Sequence, residues 1–569
     1  MTLETSKTWN LGPKIDSSYS YEDILNIVLE KREIKDKEKF LTPKLEDIPT
    51  YEKLYDCLSA AEKILKAVKE KKKIVVYGDY DVDGITGTCI LWSFLYFELL
   101  DFLKIKKEDI SILPYIPDRV EDGYGLSKKT LDKLKSEDTE LIVTVDCGIR
   151  DKELIKEYPE IEFVVTDHHL PPDDILEGLD YTLVHQMYPG KEYPYESVCG
   201  AFVVYLLVLS LKNLVGLDSS FESNKKFLDL VALATVADIM PLNDVNRVLV
   251  KYGLETLQNT SNLGLKKLAK EANLDLEKIN TYHLGFVLGP RLNASGRLDL
   301  GMHALKLLCV KEEEKAVELA RKLDALNKER QKLTFEMYEE AQNSLNDDNI
   351  LIAKDENWNE GVIGLVASKL QEKYNRPVIV FTKSGDEFKG SARSIKGVNI
   401  TEIIEKFSHH LTNFGGHEQA AGLSLQEDSF DAFVNDIISY ANENISEDMF
   451  EKVLDIDLVL DSTFLTHEFV EQISRLEPFG YGNKKPIFML ENIVVVDKKV
   501  MGNEKNHIKI TFKGNSTGVD EAVLFNCSDD VEKIKEDDTL DLVGSVGINE
   551  WNGESKIQFE VKEWKYCNN

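Results

Sequence analysis

The stretch IVVYGDYDVDGITGTCI, from Ile74 to Ile90, decides the fold. Its first three residues predict a short buried strand, and aspartates then follow at every second position: Asp79, Asp81 and Asp83. If the chain stays extended through the turn, these carboxylates point the same way. Three like charges held so close repel one another unless a cation lies among them. A divalent metal is the natural counter-charge.

Two other interpretations of this stretch are possible. The aspartates could be solvated residues of a polar turn. An EF-hand calcium loop starts in the same way, but it needs a glutamate at its twelfth position, where this chain has Ile90. Since the apolar segment Leu91–Leu100 continues as a helix, the aspartates lie in a strand-to-helix loop. Ligands of open parallel sheets collect at that edge.

Three further segments end in residues of the metal-ligand type. Leu141–Val145 predicts a buried strand that leads into Asp146, and Phe163–Thr166 predicts another that leads into Asp167, His168 and His169. The apolar helical run LVALATVADIMPL delivers Asp238. A single histidine at a strand end is often only a hydrogen-bonded structural residue. Imidazole together with several carboxylates, however, suits manganese or magnesium better than zinc.

Several polar segments among small residues are candidates for phosphate contact. Arg119 lies in PYIPDRVEDGYGLS, and the segment GFVLGPRLNASGRLDLG carries Arg291, Asn293, Ser295 and Arg297. Arginine forks and backbone N–H groups hold phosphates well, although a polar loop between helices would have the same composition. Farther along are WNEGVIG, GSARS and FGGHEQAAG. In the last of these, the glycines are predicted to precede a helix whose N-terminus forms an anion pocket, with Arg393 and His417 as donors: Gly415 and Gly416.

Composition sets limits on the function. The chain has 569 residues, enough for three or four domains, and a formal charge of −32, which argues against nonspecific nucleic-acid affinity but permits a local basic channel. Seven cysteines occur without a CxxC pair, so neither a disulfide framework nor a zinc knuckle is predicted, and a reducing cytoplasm is expected. The start of the chain does not resemble a secretory signal. The apolar run Ala201–Leu211 predicts a buried helix rather than a membrane span.

The predicted fold class is α/β. A parallel-sheet domain is joined by a long helix to a second α/β domain, and an all-β barrel or sandwich follows, for which five short strands favour an OB barrel. In that barrel, the candidate stacking and phosphate-binding residues are Phe512, Phe525, Trp551 and Lys509, and the core is the favoured place for the three aromatics. The predicted limits are 1–50 for a polar lead-in, 51–310 for the parallel-sheet domain and 311–345 for the linking helix. The second α/β domain is predicted at 346–446 and the all-β domain at 447–569.

With its acidic motifs in this order, the chain resembles the DHH phosphoesterase superfamily. Its GPRLNASGR segment and C-terminal half resemble the branch of 5′→3′ exonucleases specific for single-stranded DNA. The resemblance implies two manganese or magnesium ions, with Asp146 bridging, among the ligands Asp79, Asp81, Asp83, Asp146, His168 and Asp238. It further implies that His169 lies near the scissile phosphate, that Asp167 supports it, and that Arg291 and Arg297 steady the nonbridging oxygens.

The same resemblance implies that the domain at 346–446 is a DHH-associated substrate-binding domain. The residues expected to bind the strand are Arg119, Asn293, Ser295, Ser391, Arg393, Gly415, Gly416 and His417. The expected activity is the release of 5′-mononucleotides in DNA repair and recombination by a cytoplasmic monomer, with single-stranded DNA, a helicase and a single-strand-binding protein as partners. The family pattern has a histidine where this chain has Asn359 and a proline where it has Lys484.

Two alternatives from other classes stay open at this point. A DHH phosphoesterase for small substrates, such as short oligonucleotides or cyclic dinucleotides, would share the metal centre, but the added OB-like module argues against it. A noncatalytic DHH scaffold of DNA replication would have lost ligands, and none is missing in this sequence.

Overall fold

The computed structural model describes residues 7–119, 122–502, 505–513, 519–527, 531, 533–551 and 554–567. The chain divides into two compact units. The first unit contains Lys44–Phe450 and Gly480–Gly482, and the second contains Ser6–Pro43, Glu451–Phe479 and Asn483–Asn569. All seven cysteines are free thiols. The domain limits given above stay predictions.

A five-stranded parallel sheet forms the centre of the first unit. Its strands lie in the order Ile112–Tyr115, Ile74–Gly78, Leu141–Val145, Glu162–Asp167 and Thr182–His185. Alternate residues of the second strand enter different cores: Ile74 and Val76 pack on one face, and Val75 and Tyr77 on the other. Because both faces are covered, the strands are continuous apolar runs, and their carboxyl ends share one edge.

Helices cover both faces of this sheet. The larger core contains Cys57–Lys69, Val82–Ser93, Gly200–Leu214, Leu228–Ala237, Asp244–Gln258, Leu263–Glu271 and Met302–Cys309. The smaller core contains Lys128–Ser136 and Lys152–Lys156. The predicted buried helix at Ala201–Leu211 is confirmed as part of Gly200–Leu214. By length and composition, the continuous helix Val82–Leu103 could cross a membrane, but 61% of its apolar window is buried, as in the core helix of a globular unit.

The long linking helix predicted from charge and periodicity is Glu313–Ser344. It is preceded by a short segment, Leu284–Leu288, wound as a π-helical turn, and by the helix Gly289–Leu298. Polar residues cover most of the long helix, and its buried positions include Ala316, Ala320 and Leu323. These positions recur at helical spacing, so one face packs while the other stays in solvent.

A second five-stranded sheet follows the long helix. Its order is Asn413–His417, Ala420–Gln426, Glu387–Arg393, Val378–Ser384 and Leu351–Lys354, of which only the last pair is parallel. The helices Ile363–Tyr374, Ile400–Lys406 and Phe430–Asn444 pack on it. The prediction that Gly415 and Gly416 precede a helix is wrong, because both lie in a hairpin strand. A Cβ at Gly416 would lie 2.3 Å from the carbonyl oxygen of Ala420, so the close strand contact requires glycine.

The C-terminal barrel is confirmed as a closed OB-type barrel of five strands. They are Phe488–Met501, His507–Lys513, Val519–Leu524, Glu554–Tyr566 and Thr539–Trp551, and the first pairs with both the second and the last. Phe512 is a core residue, whereas Phe525 is exposed. Lys509 pairs with Glu521 at 2.9 Å. The side chain of Trp551 lies outside the described part of the chain.

The N-terminal segment belongs to the second unit. Lys7–Asn10 pairs in parallel with Lys452–Asp455, and Lys14–Ile15 pairs with the strand Leu458–Leu460. The helix Tyr21–Lys31, at the limits its periodicity predicts, buries four apolar residues in the core of that unit: Ile24, Leu25, Val28 and Leu29. A segment that looks like a polar lead-in is therefore a structural part of the barrel unit.

Candidate metal centre and arginine cluster

Strand ends bring the acidic residues together at the carboxyl edge of the parallel sheet. Asp79 follows Ile74–Gly78, and Asp146 follows Leu141–Val145. Asp146 has a left-handed backbone with φ 62°, and its N–H donates to the carbonyl of Thr166 at 3.0 Å. Aspartate tolerates this conformation better than most residues. The turn at Asp146 therefore directs its carboxylate back across the sheet edge.

Two neighbouring aspartates are fixed by helix N-termini. Asp81 caps the helix Val82–Ser93, because its Oδ1 accepts from the N–H groups of Asp83 at 2.9 Å and Gly84 at 3.1 Å. The buried carboxylate of Asp83 accepts from Gly200 N–H at 2.6 Å and from Ala201 N–H at 2.7 Å, at the start of Gly200–Leu214. Helix N-termini attract negative charge, so both carboxylates are held in place before any metal binds.

His168 lies at the middle of the acidic cluster. Its Nε2 is 3.1 Å from Asp146 Oδ1, 3.4 Å from Asp238 Oδ2 and 3.5 Å from Asp83 Oδ2. Three overlapping groups have ligand atoms within 4.8 Å of one another: Asp79–Asp81–Asp146, Asp83–His168–Asp238 and Asp146–His168–His169. Asp146 and His168 each belong to two groups. The arrangement can therefore hold two cations with a shared carboxylate.

Buried polar atoms without partners support this interpretation. Among the described residues, no hydrogen bond reaches Asp79 Oδ1, Asp146 Oδ1, His168 Nε2 or Asp238 Oδ2. Burial and the carboxylate of Asp81 raise the pKa of Asp79, and burial and Asp83 raise the pKa values of Asp146 and Asp238. Buried carboxylates without partners are unfavourable unless a cation compensates them. Oxygen and imidazole donors fit manganese or magnesium.

Asp167 has a different environment from the other acids. Its Oδ1 accepts from the N–H groups of His168 at 2.7 Å and His169 at 3.1 Å and lies 2.8 Å from His169 Nδ1, and its Oδ2 accepts from Ile149 N–H at 3.0 Å. Burial opposes ionisation of this carboxyl, yet the bond to His169 and the charges of both histidines hold its pKa below the ordinary value. Asp167 therefore orients the His169 ring.

Sequence analysis missed Tyr124, which contacts the same histidine. Its hydroxyl oxygen lies 3.0 Å from His169 Nδ1 and donates to the carbonyl of Asp146 at 3.3 Å. The two rings meet edge to face, with centroids 5.5 Å apart. The feature of the sequence that could have marked Tyr124 is its position in the loop that also carries Arg119.

Three arginines form a second cluster in the first unit. Burial, and then the positive charges of Arg119, Arg330 and Arg393, lower the pKa of Arg297 to about 9. Arg393 donates to the hydroxyls of Ser368 at 3.0 Å and Ser391 at 3.2 Å. Arg119 lies 5.1 Å from the Tyr80 ring centroid. We call Arg119, Arg297 and Arg393 the arginine cluster; within the described chain, no carboxylate forms an ion pair with any of them.

Other predicted phosphate ligands have different roles in the structure. Arg291 donates to Asp324 at 2.9 Å and to the carbonyl of Val287 at 2.8 Å. Ser295 is buried and donates to the carbonyl of Leu292. The side-chain oxygen of Asn293 accepts from Val82 N–H at 3.0 Å and so supports the aspartate loop.

The glycine hairpin lies beside the arginine cluster in the second sheet. The register places Arg393 opposite Ala420 and Ala420 opposite His417, and it aligns Ser391 with Gly422 and Gly415. His417 and Gly415 are exposed. The structure thus gathers Ser391 and Arg393 with the other two arginines and places the hairpin along the adjoining strand.

Family models match most of the chain. The DHH family N-terminal domain matches residues 73–235, the DHHA1 domain 347–443 and the RecJ OB domain 456–563. The single-stranded-DNA-specific exonuclease RecJ of Haemophilus influenzae is 32% identical over 96% of this chain and 97% of its own length. The chain belongs to the RecJ family. The Escherichia coli RecJ is 31% identical over 88% of this chain and 89% of its own length.

Other RecJ proteins extend the comparison. The Bacillus subtilis RecJ is 36% identical over 89% of this chain, which spans 62% of that longer protein. The crystal structure of Thermus thermophilus RecJ in complex with Mn²⁺ has a TM-score of 0.80 and 26% identity, covering 99% of this chain and 80% of that one. Its Mg²⁺ complex has a TM-score of 0.75 and also 26% identity, covering 99% of this chain and 79% of that one. Solved RecJ structures thus contain Mn²⁺ in one case and Mg²⁺ in the other, which are the kinds of ion that the donor set favours.

Proposed function

We propose that this protein is a metal-dependent exonuclease that hydrolyses single-stranded DNA from its 5′ end. The observation that carries the proposal is the set of buried, unpartnered ligand atoms on Asp79, Asp146, His168 and Asp238 in a chain of the RecJ family. A noncatalytic scaffold would have no reason to keep these atoms uncompensated. A hydrolase with divalent cations does.

The ligands of the centre are Asp79, Asp81, Asp83, Asp146, His168 and Asp238. Asp146 would be shared between the two ions, because it belongs both to the group with Asp79 and Asp81 and to the group with the histidines. When bound, two divalent cations lower the pKa of water and stabilise the charge that develops on a phosphodiester. The protein contributes by fixing these donors through the N-termini of two helices and the turn at Asp146.

His169 and its neighbours position the scissile phosphate. The hydrogen bond between Nδ1 and Asp167 leaves Nε2 of the ring for a phosphate oxygen. The Tyr124 hydroxyl lies against the same edge of the ring, 3.0 Å from Nδ1 and 3.4 Å from Nε2, and donates to the backbone carbonyl of Asp146. Since the ring and the backbone of Asp146 share this tyrosine, it fixes the position of His169 relative to the turn that carries the Asp146 carboxylate.

The arginine cluster binds the phosphate at the 5′ end of the strand. Guanidinium groups pair with phosphates through two parallel hydrogen bonds, and three of them in one place repel each other until an anion arrives. Ser391 adds a hydroxyl, and the exposed hairpin residues Gly415, Gly416 and His417 extend this surface along the sheet. The cluster also explains how a chain with a charge of −32 accepts a polyanion.

The proposed biological setting is the repair and recombination of DNA. The protein releases 5′-mononucleotides during DNA repair and recombination, acts as a cytoplasmic monomer, and works on strands that a helicase opens and a single-strand-binding protein covers. Support comes from the RecJ relatives and from the OB barrel, a fold used for binding single strands.

The first experiment is manganese-dependent digestion of a single-stranded oligonucleotide labelled at the 5′ or the 3′ end, beside the matching duplex and a dinucleotide. We expect immediate release of the 5′ label as a mononucleotide, gradual shortening of the 3′-labelled strand and no loss of the duplex. Consumption of the dinucleotide alone would favour a small-substrate phosphoesterase. Metal binding without any cleavage would favour a scaffold.

A further inference from the structure

Two exposed aromatic residues of the first unit stack on each other. Tyr282 is 61% exposed and Phe286 is 70% exposed. Their ring centroids are 5.1 Å apart, and their planes differ by 24°. Large aromatic side chains left this open in a folded unit commonly mark a binding surface.

The backbone that carries the pair packs against the helix that ends at Asp238. A Cβ at Gly285 would lie 3.4 Å from Val236 Cγ1, and one at Gly289 would lie 3.5 Å from Ala237 Cβ. The turn that carries Phe286 therefore packs along the last residues of the helix Leu228–Ala237, directly before Asp238. This turn is π-helical, and such turns are frequent at functional sites.

Ile239 adds a second, independent observation at the same helix end. Its side chain is 65% exposed, and its backbone is left-handed with φ 56°. A β-branched residue is strained in this conformation, and strained backbone of this kind clusters at ligand-binding sites. The chain thus holds an apolar side chain in solvent next to a metal-ligand candidate, where burial would have been more favourable.

We propose that Tyr282 and Phe286 form a base-stacking site for the single strand as it approaches the metal centre, with Ile239 flanking it. The inference rests on the proposed function. The bases of a single strand expose both π-faces, and exposed aromatic rings bind them without regard to sequence. A protein bound to the same pair would lie close to the helix end that carries Asp238 and would block the strand. A base stacked on the pair would instead guide the strand toward the metal centre.

The test combines removal of the rings with removal of the bases. Binding of a labelled 12-nucleotide strand is measured in EDTA, so that no cleavage occurs, for the wild-type protein and for the double variant Tyr282→Ala/Phe286→Ala. The strand is used intact and with three adjacent abasic sites moved along it. The matched control is Phe102→Ala, an exposed aromatic (46%) at the far end of the helix Val82–Leu103. At 1.5 Å per residue it lies about 30 Å from Asp81.

We expect the double variant to bind the intact strand about tenfold more weakly than wild type. When the three abasic sites lie at the positions that face the rings, wild type and the double variant should bind the strand equally, because the bases that would stack are already absent. The double variant Tyr282→Leu/Phe286→Leu keeps the apolar surface but not the rings. It should bind the intact strand as weakly as the double alanine variant. Phe102→Ala should bind like wild type.

Two results would overturn the stacking site. One is an unchanged affinity of the double variant for the intact strand, which would leave the pair as a docking surface for a protein. The other is an equal loss of affinity in the double variant wherever the abasic sites are placed, which would mean that the substitutions weaken binding by altering the fold. Failure of the proposed function has a separate signature, since wild-type protein would then neither bind nor cleave the intact strand.

Discussion

The carboxylate of Asp83 accepts a hydrogen bond of 2.6 Å from the backbone N–H of Gly200, at the first residue of a buried helix. The same glycine lies against the bridging aspartate, because a Cβ at Gly200 would be 3.0 Å from Cβ of Asp146. Gly200 thus contacts two acids, one in the first turn of the helix Val82–Ser93 and one at the end of the strand Leu141–Val145, although it carries no side chain. Its substitution is the most direct test of how closely the centre is packed.

Gly200→Ala is expected to lower Mn²⁺ affinity about 10- to 100-fold, as loss of other supporting groups around metals does. The added methyl group must displace Asp146 or the helix, and either shift separates the donors. Isothermal titration with Mn²⁺ measures the effect. Gly422→Ala is the matched control, since nothing lies within 4 Å of a Cβ there. Equal affinities of both variants and wild type would contradict the proposed packing.

Asp146→Asn should abolish cleavage without unfolding the protein. Burial and Asp83 raise the pKa of this carboxyl, so a neutral amide relieves repulsion, and the metal-free variant should melt at or above the wild-type temperature. Asparagine also tolerates the left-handed backbone, whereas Asp146→Ala should lose about a further 1 kcal/mol of stability. Thermal melts with and without Mn²⁺ distinguish the two. Retained manganese-dependent cleavage in Asp146→Asn would refute the bridging role.

Arg297→Met is expected to stabilise the protein in the absence of DNA and to impair its use of substrate. Burial and three nearby cations make this guanidinium unfavourable until an anion binds. The melting temperature should rise, while KM for a 5′-phosphorylated strand should rise about tenfold, which corresponds to loss of one good charged contact. The control is Arg321→Met, at an exposed arginine paired with Glu271. A variant less stable than wild type without DNA would argue against an anion site.

Tyr124→Phe should lower kcat about tenfold and leave KM within about twofold. The reason is that the hydroxyl contacts His169 and the backbone of Asp146 and is not proposed to bind the strand. Steady-state kinetics on a labelled strand separate the two parameters. Tyr158→Phe removes a hydroxyl that donates to Asp132 instead and should change neither. A higher KM with unchanged kcat would assign Tyr124 to strand binding.

Asp229 predicts a pH dependence of stability outside the site. Burial raises its pKa to about 6, against hydrogen bonds from Thr260 and Leu230. A carboxyl whose pKa is higher in the folded state favours folding at low pH, and this contribution is lost as pH rises through the folded pKa. Between pH 4.5 and 7.5, wild type should therefore lose about 2 kcal/mol relative to Asp229→Asn. Urea unfolding at both pH values measures the difference, and a constant difference would contradict the raised pKa.

The acidic centre could be predicted from sequence because local features determine it. Buried strands end at the same edge of a parallel sheet, and each strand end is followed at once by its carboxylate, as at Asp79 and Asp146. Neither position depends on a distant residue. The closed barrel was predictable for a similar reason, since its alternating strands, such as His507–Lys513, follow the burial pattern.

The phosphate contacts were less predictable because partners far along the chain decide them. Arg291 and Arg297 look alike in GPRLNASGR, but Asp324 pairs with the first, and no described carboxylate pairs with the second. Glycines are equally ambiguous, because a helix start and a tight hairpin both favour them; the contact between Gly416 and Ala420 settled that case. Tyr124 had no local pattern that marked it as a neighbour of His169.

The pairing of Lys7–Asn10 with Lys452–Asp455 sets an order of events during synthesis. At 5–20 residues per second, the ribosome needs roughly 20 to 90 seconds between making these two strands, so the N-terminal segment has no partner while the first unit emerges. Shortened versions that stop before the barrel would leave the apolar face of the helix Tyr21–Lys31 uncovered. A soluble fragment of the first unit should therefore begin near Lys44, and a fragment of the barrel unit needs the N-terminal segment added or fused to it.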